Sequence, residues 1–296
     1  METHTQFGPL VTAMATPFTS SGEVDYGRAG ELAAHLVENG TTALVVAGTT
    51  GESPTLSHDE KLQLFREVKQ ATTVPVIAGT TGFDTRASVE LSREAAECGV
   101  DGLLLVVPYY NKPSQEGLYQ HFKAIAAATP LPCLLYNIPG RSARNMEVAT
   151  TARLSEIPNI IGTKEASGDL AQIGRTRAAT PDEFLIYSGN DGDTLPMLTL
   201  GACGVISVIS HIAGKPMRAM MDAFWKGDMA EARRIHLQLL PVVDALFPAT
   251  GASPGPLKWG MKRQGFDAGG LRLPLVEASE VEAKALETAM QNAGLI

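Results

Sequence analysis

The sequence predicts an α/β fold, a (β/α)8 barrel with a C-terminal helical extension. Three observations carry that reading: eight short apolar runs, helical stretches between them, and a purely helical C-terminal part. The runs cover residues 10–18, 43–48, 75–80, 102–108, 132–139, 160–166, 184–189 and 202–209. Most are apolar without alternation, as expected of strands buried on both faces. Between them the spacing turns helical. In 59–68, Leu62, Leu64, Phe65 and Val68 form one apolar stripe, and 89–96 and 118–127 read the same way. Strand and helix thus alternate, which calls for parallel strands joined by helical crossovers. Eight units close into a barrel; a doubly wound open sheet is the competitor. No G-x-G-x-x-G follows the first run, which weakens the dinucleotide-binding form of that competitor. From about Met221 the pattern changes. Stretches 228–246, 257–264 and 281–293 look helical with no strand between them. The predicted organisation is a barrel over residues 1–222 and a helical extension over 223–296 packed on it, with no linker or low-complexity segment.

Composition removes several function classes. The 296 residues carry 24 Lys and Arg against 32 Asp and Glu, a formal charge of −8. An acidic chain without a basic run is a poor nucleic-acid binder. No apolar stretch approaches the roughly 20 residues of a membrane helix. The start METHTQFGPL lacks the basic and apolar regions of a signal peptide. Cys98, Cys133 and Cys203 are odd in number and widely spaced, giving neither a metal pattern nor a disulfide framework. The expected location is the reducing cytoplasm, with each cysteine a small buried apolar residue.

In a barrel the chemistry sits at the carboxyl ends of the strands, and polar residues gather there. GTTGESPTL (48–56) follows the second run with two hydroxyls, Thr49 and Thr50, set between Gly48 and Gly51, two glycines expected to let the backbone turn sharply. By itself it reads either as a turn capping a helix or as a cradle for a small anion. Tyr109, Tyr110 and Asn111 follow the fourth run. The fifth ends in Tyr136 and Asn137 with Arg141 past a turn, and the seventh in Ser188, Gly189, Asn190 and Asp191. Lys164 lies inside the apolar sixth run, facing opposite to Glu165. Facing the lumen, it would lose charge on burial and become a nucleophilic amine able to form a Schiff base with a keto acid. A strand-end lysine snorkelling to solvent is the plain alternative, and the Tyr and Arg residues at the same rim weigh against it. Tyr hydroxyls linked by hydrogen bonds could relay the protons such chemistry moves, or serve as amphipathic core residues. Arg141 could clamp a carboxylate or lie on the surface.

The motifs GTTGESPTL, PYYNKPSQEGLYQHF, YNIPGRSA, GTKEASG, SGND and GVISV, in this order, resemble the pyruvate-dependent class I aldolase family, which includes N-acetylneuraminate lyase. The resemblance runs from Leu10 to the end, through LRLPLVEAS and NAGLI. Tyr110 together with YNIPGR resembles the branch that condenses pyruvate with aspartate 4-semialdehyde, rather than the sialic-acid and sugar-acid lyases. The resemblance implies a lyase of lysine (diaminopimelate) biosynthesis. Lys164 would form an imine with pyruvate, then an enamine that attacks the aldehyde. Thr49, Tyr136 and Tyr110 would relay protons, with Tyr110 coming from a neighbouring subunit. Thr50 would hold the pyruvate carboxylate, Arg141 the carboxylate of the semialdehyde, and Gly189 and Ile206 would offer backbone groups near pyruvate. Neither a metal nor an organic cofactor is implied, and a homotetramer, a dimer of dimers, is.

Two departures from the family pattern stand out. Ser253-Pro254-Gly255-Pro256 replaces a frequent Asn-Pro-x-Pro, after a PATGA segment that looks longer than usual. The family's interface site for inhibitory lysine keeps Ser53, His58 and Tyr109, but its other positions align with Lys61, Phe83 and Ala87, which predicts weak or absent inhibition. Two further functions stay open: a sister aldolase acting on a 2-keto-3-deoxy sugar acid or 4-hydroxy-2-oxoglutarate, and a non-catalytic keto-acid-binding barrel.

Overall fold

The computed structural model describes residues 5–248 and 253–296. Eight parallel strands close into a barrel in sequence order: β1 (Leu10–Ala13), β2 (Ala43–Val46), β3 (Val76–Gly79), β4 (Gly102–Val106), β5 (Cys133–Asn137), β6 (Ile160–Glu165), β7 (Leu185–Ser188) and β8 (Gly204–Ser207). β8 closes on β1, with Ile206 beside Val11. Each strand is followed by helix. The crossovers are α1 (Tyr26–Glu38), α2 (His58–Ala71), α3 (Thr85–Glu97), α4 (Gln115–Ala126), α5 (Pro139–Ser142), α6 (Val148–Ser155), α7 (Leu170–Ala179) and α8 (Thr194–Thr199). After β8 come α9 (Ser210–Trp225), α10 (Met229–Leu246), α11 (Pro254–Arg263) and α12 (Glu280–Asn292). The expected TIM barrel with a helical C-terminal part is therefore the fold. Of the PATGA segment, 249–252 lie outside the described residues.

The helices start where the sequence offers caps. Asp25, Asp84, Ser114, Asp169 and Asp228 each accept a backbone N–H of the first turn. Ser57 with Glu60, and Ser279 with Glu282, form complete capping boxes. Two cores result. The outer one fills the space between strands and helices, with Leu32, Phe65, Phe122 and Met220 among its buried members. The inner one fills the lumen with Val11, Val45, Ile77, Leu104, Leu134, Tyr136, Tyr187 and Ile206 over Phe7.

The strands are shorter than the apolar runs that predicted them. The first run extends to Phe18, yet β1 ends at Ala13. The chain leaves the ladder there: the hydroxyl of Thr16 donates to the Gly51 carbonyl at 2.7 Å, Pro17 has no N–H to give, and Phe18 bridges Val24. The last run extends to Ile209, but the amides of Val208 and Ile209 donate to the Asp191 carboxylate instead of a neighbouring strand. Both departures occur at the carboxyl rim, where backbone groups are diverted to hold loops.

Candidate active site at the carboxyl ends of the strands

A cavity of about 500 Å3 opens at the carboxyl ends of the strands. Its floor and walls include Thr49 and Thr50 after β2, Tyr136 at the end of β5, Arg141 in α5, Lys164 in β6 and Gly189 after β7. Six of the eight residues to which the resemblance gives a role thus share one cavity, with Tyr109, Asn190 and Asp191 beside them. Ile206 sits in the buried lumen core, outside the cavity lining. Tyr110 stands apart, 90% exposed, with a left-handed φ of 72°.

Lys164 faces the lumen. It pairs in register with Tyr136 on one side and Tyr187 on the other, and only 4% of it is exposed. Its Nζ lies 4.4 Å from the centre of the Tyr136 ring. Burial brings the Lys164 pKa down to about 8; the Asp191 carboxylate opposes that shift, and the Arg141 guanidinium adds to it. Roughly a tenth of such an amine is unprotonated at pH 7. Burial pushes the Tyr136 phenol up to about 12, while Arg141 and a hydrogen bond with Thr49 work the other way. At neutral pH the phenol keeps its proton and serves as a donor beside the amine.

The loop after β2 corrects one sequence-level expectation. Gly48 and Gly51 do not supply left-handed turns; those positions fall on Ala47 (φ 53°) and Glu52 (φ 57°). Gly51 is required for a different reason, because a Cβ there would lie 2.9 Å from the Met14 carbonyl oxygen. Gly189 is a second close approach: a Cβ would sit 2.7 Å from that of Ala166 and 3.1 Å from Cγ of Lys164.

A family model for the dihydrodipicolinate synthetase family matches residues 6–293. The chain belongs to that family. It is 55% identical over 293 residues to a 4-hydroxy-tetrahydrodipicolinate synthase of Moorella thermoacetica, covering 98% of this chain and all of that one. A protein of the same name from a Cyanothece species is 52% identical, over 99% of this chain and 100% of its own. A solved dihydrodipicolinate synthase from Bacillus anthracis superposes with a TM-score of 0.94 at 49% identity, covering 96% of this chain and 98% of the other. One from Cyanidioschyzon merolae, solved with lysine bound, gives 0.95 at 48% identity, covering 98% and 99%.

In this dihydrodipicolinate synthetase family member, buried polar groups behind the cavity hold its walls. Glu165, next to Lys164 but facing outward, accepts from the Asn137 side chain through both oxygens at 3.1 Å and from the Ser167 amide at 2.8 Å. Asn137 also bonds Asn145 at 2.8 Å and accepts from the Met146 amide at 2.9 Å, which fixes both ends of the segment bearing Arg141. Asp191 is equally enclosed. It accepts from Ser207 Oγ at 2.5 Å and from the amides of Val208 and Ile209, tying β7 to β8 beside Lys164. Sequence reasoning noted Asn137 and Asp191 only as polar strand ends. It noted Ser253, just before α11, as a departure from the family pattern, and missed Val243 in α10 and Phe247 just after it; all three line the cavity. No local pattern points to Val243 and Phe247, since their role comes from tertiary packing. Among the described residues, no group of three or more His, Cys, Asp and Glu side chains could hold a metal ion, and no helix is long and apolar enough to cross a membrane. All three cysteines are buried and free.

The electrostatics give a measurable pH dependence. The reactivity of Lys164 toward an amine reagent should rise with pH and level off above about 8, against about 10.4 for an ordinary lysine. Arg141→Ala removes a like charge and should move that midpoint up. Asp191→Asn removes an opposite charge and should move it down. Site-resolved labelling followed by mass spectrometry reads all three, and an unshifted midpoint in both variants would contradict the assigned causes.

Proposed function

We propose that this chain has the activity for which its relatives are named: condensation of pyruvate with L-aspartate 4-semialdehyde to 4-hydroxy-tetrahydrodipicolinate, a step of lysine (diaminopimelate) biosynthesis. The observation that carries the reading is a buried, partly neutral Lys164 beside the Tyr136 phenol in a cavity that also presents Thr50 and Arg141. The unprotonated amine attacks the ketone carbon of pyruvate, water leaves, and an iminium forms on Lys164. Loss of a methyl proton gives the enamine. Its carbon attacks the aldehyde of the second substrate, whose oxygen takes up a proton. The substrate's own amine then adds to the iminium carbon and expels Lys164, closing the ring. Thr49 and Tyr136 move protons through these steps, and Tyr110 extends the relay from a neighbouring subunit. The exposure of Tyr110, away from its own cavity, supports that placement.

Thr50 holds the pyruvate carboxylate, and Gly189 and Ile206 contribute backbone groups nearby. Arg141 receives the semialdehyde carboxylate. Lysine supplies the covalent chemistry, so the reading calls for no cofactor. We read residues 1–222 as the catalytic barrel and 223–296 as the layer over it, in a cytoplasmic homo-oligomer, a dimer of dimers. The relatives speak for this activity over the sister aldolases and over a non-catalytic barrel.

Borohydride reduction in the presence of pyruvate should add one reduced pyruvyl group at Lys164, read by peptide mass spectrometry. Lys164→Arg keeps the charge but should lose nearly all turnover, since a guanidinium stays protonated. Labelling at Lys112 or Lys215 instead would overturn the assignment.

Arg141 lines the cavity one turn past the end of β5. Arg141→Ala should therefore raise KM for aspartate semialdehyde about ten- to a hundredfold, the worth of one charge-assisted contact, and leave that for pyruvate nearly unchanged. Steady-state kinetics with each substrate varied separately makes the comparison; an equal effect on both contradicts the role.

L-Lysine should inhibit weakly or not at all. The ligand carries two ammonium groups and needs acceptors. Phe83 is exposed and packs edge-on against Tyr109 with ring centres 5.5 Å apart. Ala87 offers no acceptor side chain, His58 is engaged by Glu94, and Lys61 brings a like charge. Half-inhibition below about 1 mM L-lysine, equivalent to roughly 4 kcal/mol of binding, would show that a competent site survives.

A further inference from the structure

Glu52 combines three unusual properties. It follows Thr49, Thr50 and Gly51 directly; its backbone is left-handed at φ 57°; and its carboxylate is fully enclosed. The partner is Lys258 of α11, whose Nζ lies 2.9 Å from Oε1, with side-chain exposures of 3% for Lys258 and 0% for Glu52. The other oxygen, Oε2, accepts the Arg272 amide at 3.1 Å. Lys258 also donates to the Gly270 carbonyl at 2.6 Å and lies over the Phe18 ring. The Glu52 amide donates to the Thr49 carbonyl at 3.1 Å, and the Ser53 amide to that of Gly48 at 3.2 Å. Glu52 is thus tied through its own amide to Thr49, with Thr50 and Gly51 between them in the chain.

A left-handed backbone is easiest for glycine. A side chain that accepts this conformation and is then enclosed must contribute something glycine would not. Net stability is a poor explanation, because desolvating two charges offsets much of their attraction, and apolar replacements of similar volume are often neutral. Geometry is the better one. The side chain runs from the active-site loop into the C-terminal layer, where α11 and Arg272 grip it. We infer that Glu52 and Lys258 are positioning residues for the reaction: their buried ion pair anchors the 48–53 loop to α11 and so sets where the Thr49 and Thr50 hydroxyls stand. The inference rests on the functional reading only for the roles of those two hydroxyls.

The test uses the full chain with Glu52→Gln and Lys258→Met combined, which keeps volume and removes both charges. The melting temperature should stay within a few degrees of the parent. Turnover should fall at least tenfold, and the pyruvate concentration that half-saturates borohydride trapping should rise at least fivefold. KM for the semialdehyde should not change, a split that a general loss of structure would not produce. Amide hydrogen exchange over 48–53 should accelerate, and that measurement needs no substrate. A folded double variant with parental turnover and pyruvate saturation overturns the inference. So does an equal rise in both substrate constants, or failure of the double variant to fold, which would assign the pair to stability. A parent protein that traps pyruvate but does not convert the semialdehyde would defeat the functional reading alone; trapping and exchange would still decide the role of the pair.

Discussion

A lysine inside a closed barrel is the constraint on which the rest of the site depends. The lumen is packed with apolar side chains, and a full ammonium there would lack water. The structure meets this by letting Lys164 lose part of its charge, setting it over the face of Tyr136, and enclosing the Asp191 carboxylate nearby. Each measure constrains something else. Asp191 has to be held by Ser207 and two amides, which shortens β8 at its carboxyl end. A side chain at Gly189 would clash with Ala166 and crowd the aliphatic stem of Lys164. The depressed basicity that makes the lysine tolerable in the lumen is the same property that makes it a nucleophile.

Around that centre, the loops are held from behind by charged or polar groups that never reach the cavity. Glu165 and Asn137 secure the segment carrying Arg141, and Glu52 secures the one carrying the threonines. The two carboxylates play comparable parts, Glu165 at the last position of β6 and Glu52 in the loop after β2, and neither lines the cavity. Burial pushes the Glu165 carboxyl up, and the hydrogen bonds from Ser167 and Asn137 pull it back. A barrel of short strands offers few backbone bonds beyond its rim, so side-chain acceptors substitute for the missing ladder.

Much of the fold was legible in the sequence because its signals are local. Eight apolar runs with helical spacing between them specify a parallel barrel whatever their exact ends. The ends were overestimated at Phe18 and Ile209, because an apolar residue leaving the sheet at a rim looks the same as one remaining in it. At the site, Lys164 was legible as the single lysine within the eight apolar runs. The turn after β2 was misread: glycine is the usual source of left-handed backbone, but there Ala47 and Glu52 supply it and Gly51 answers to a close approach. The ion pair of Glu52 joins residues 206 positions apart, and the roof comes from Val243 and Phe247 on a helix beyond the barrel. Neither has a spacing that a single sequence displays.

The roof has an evolutionary consequence. The reacting amine and its neighbours come from strands β5 to β7, whereas Val243, Phe247 and Ser253 come from the C-terminal helices. Substitutions in the helical layer can reshape the space above Lys164 without altering the strand register that fixes the lysine against Tyr136. The space offered to the second substrate is thereby shared between Arg141 of the barrel and the helical layer, so part of it can change while the nucleophile stays in place.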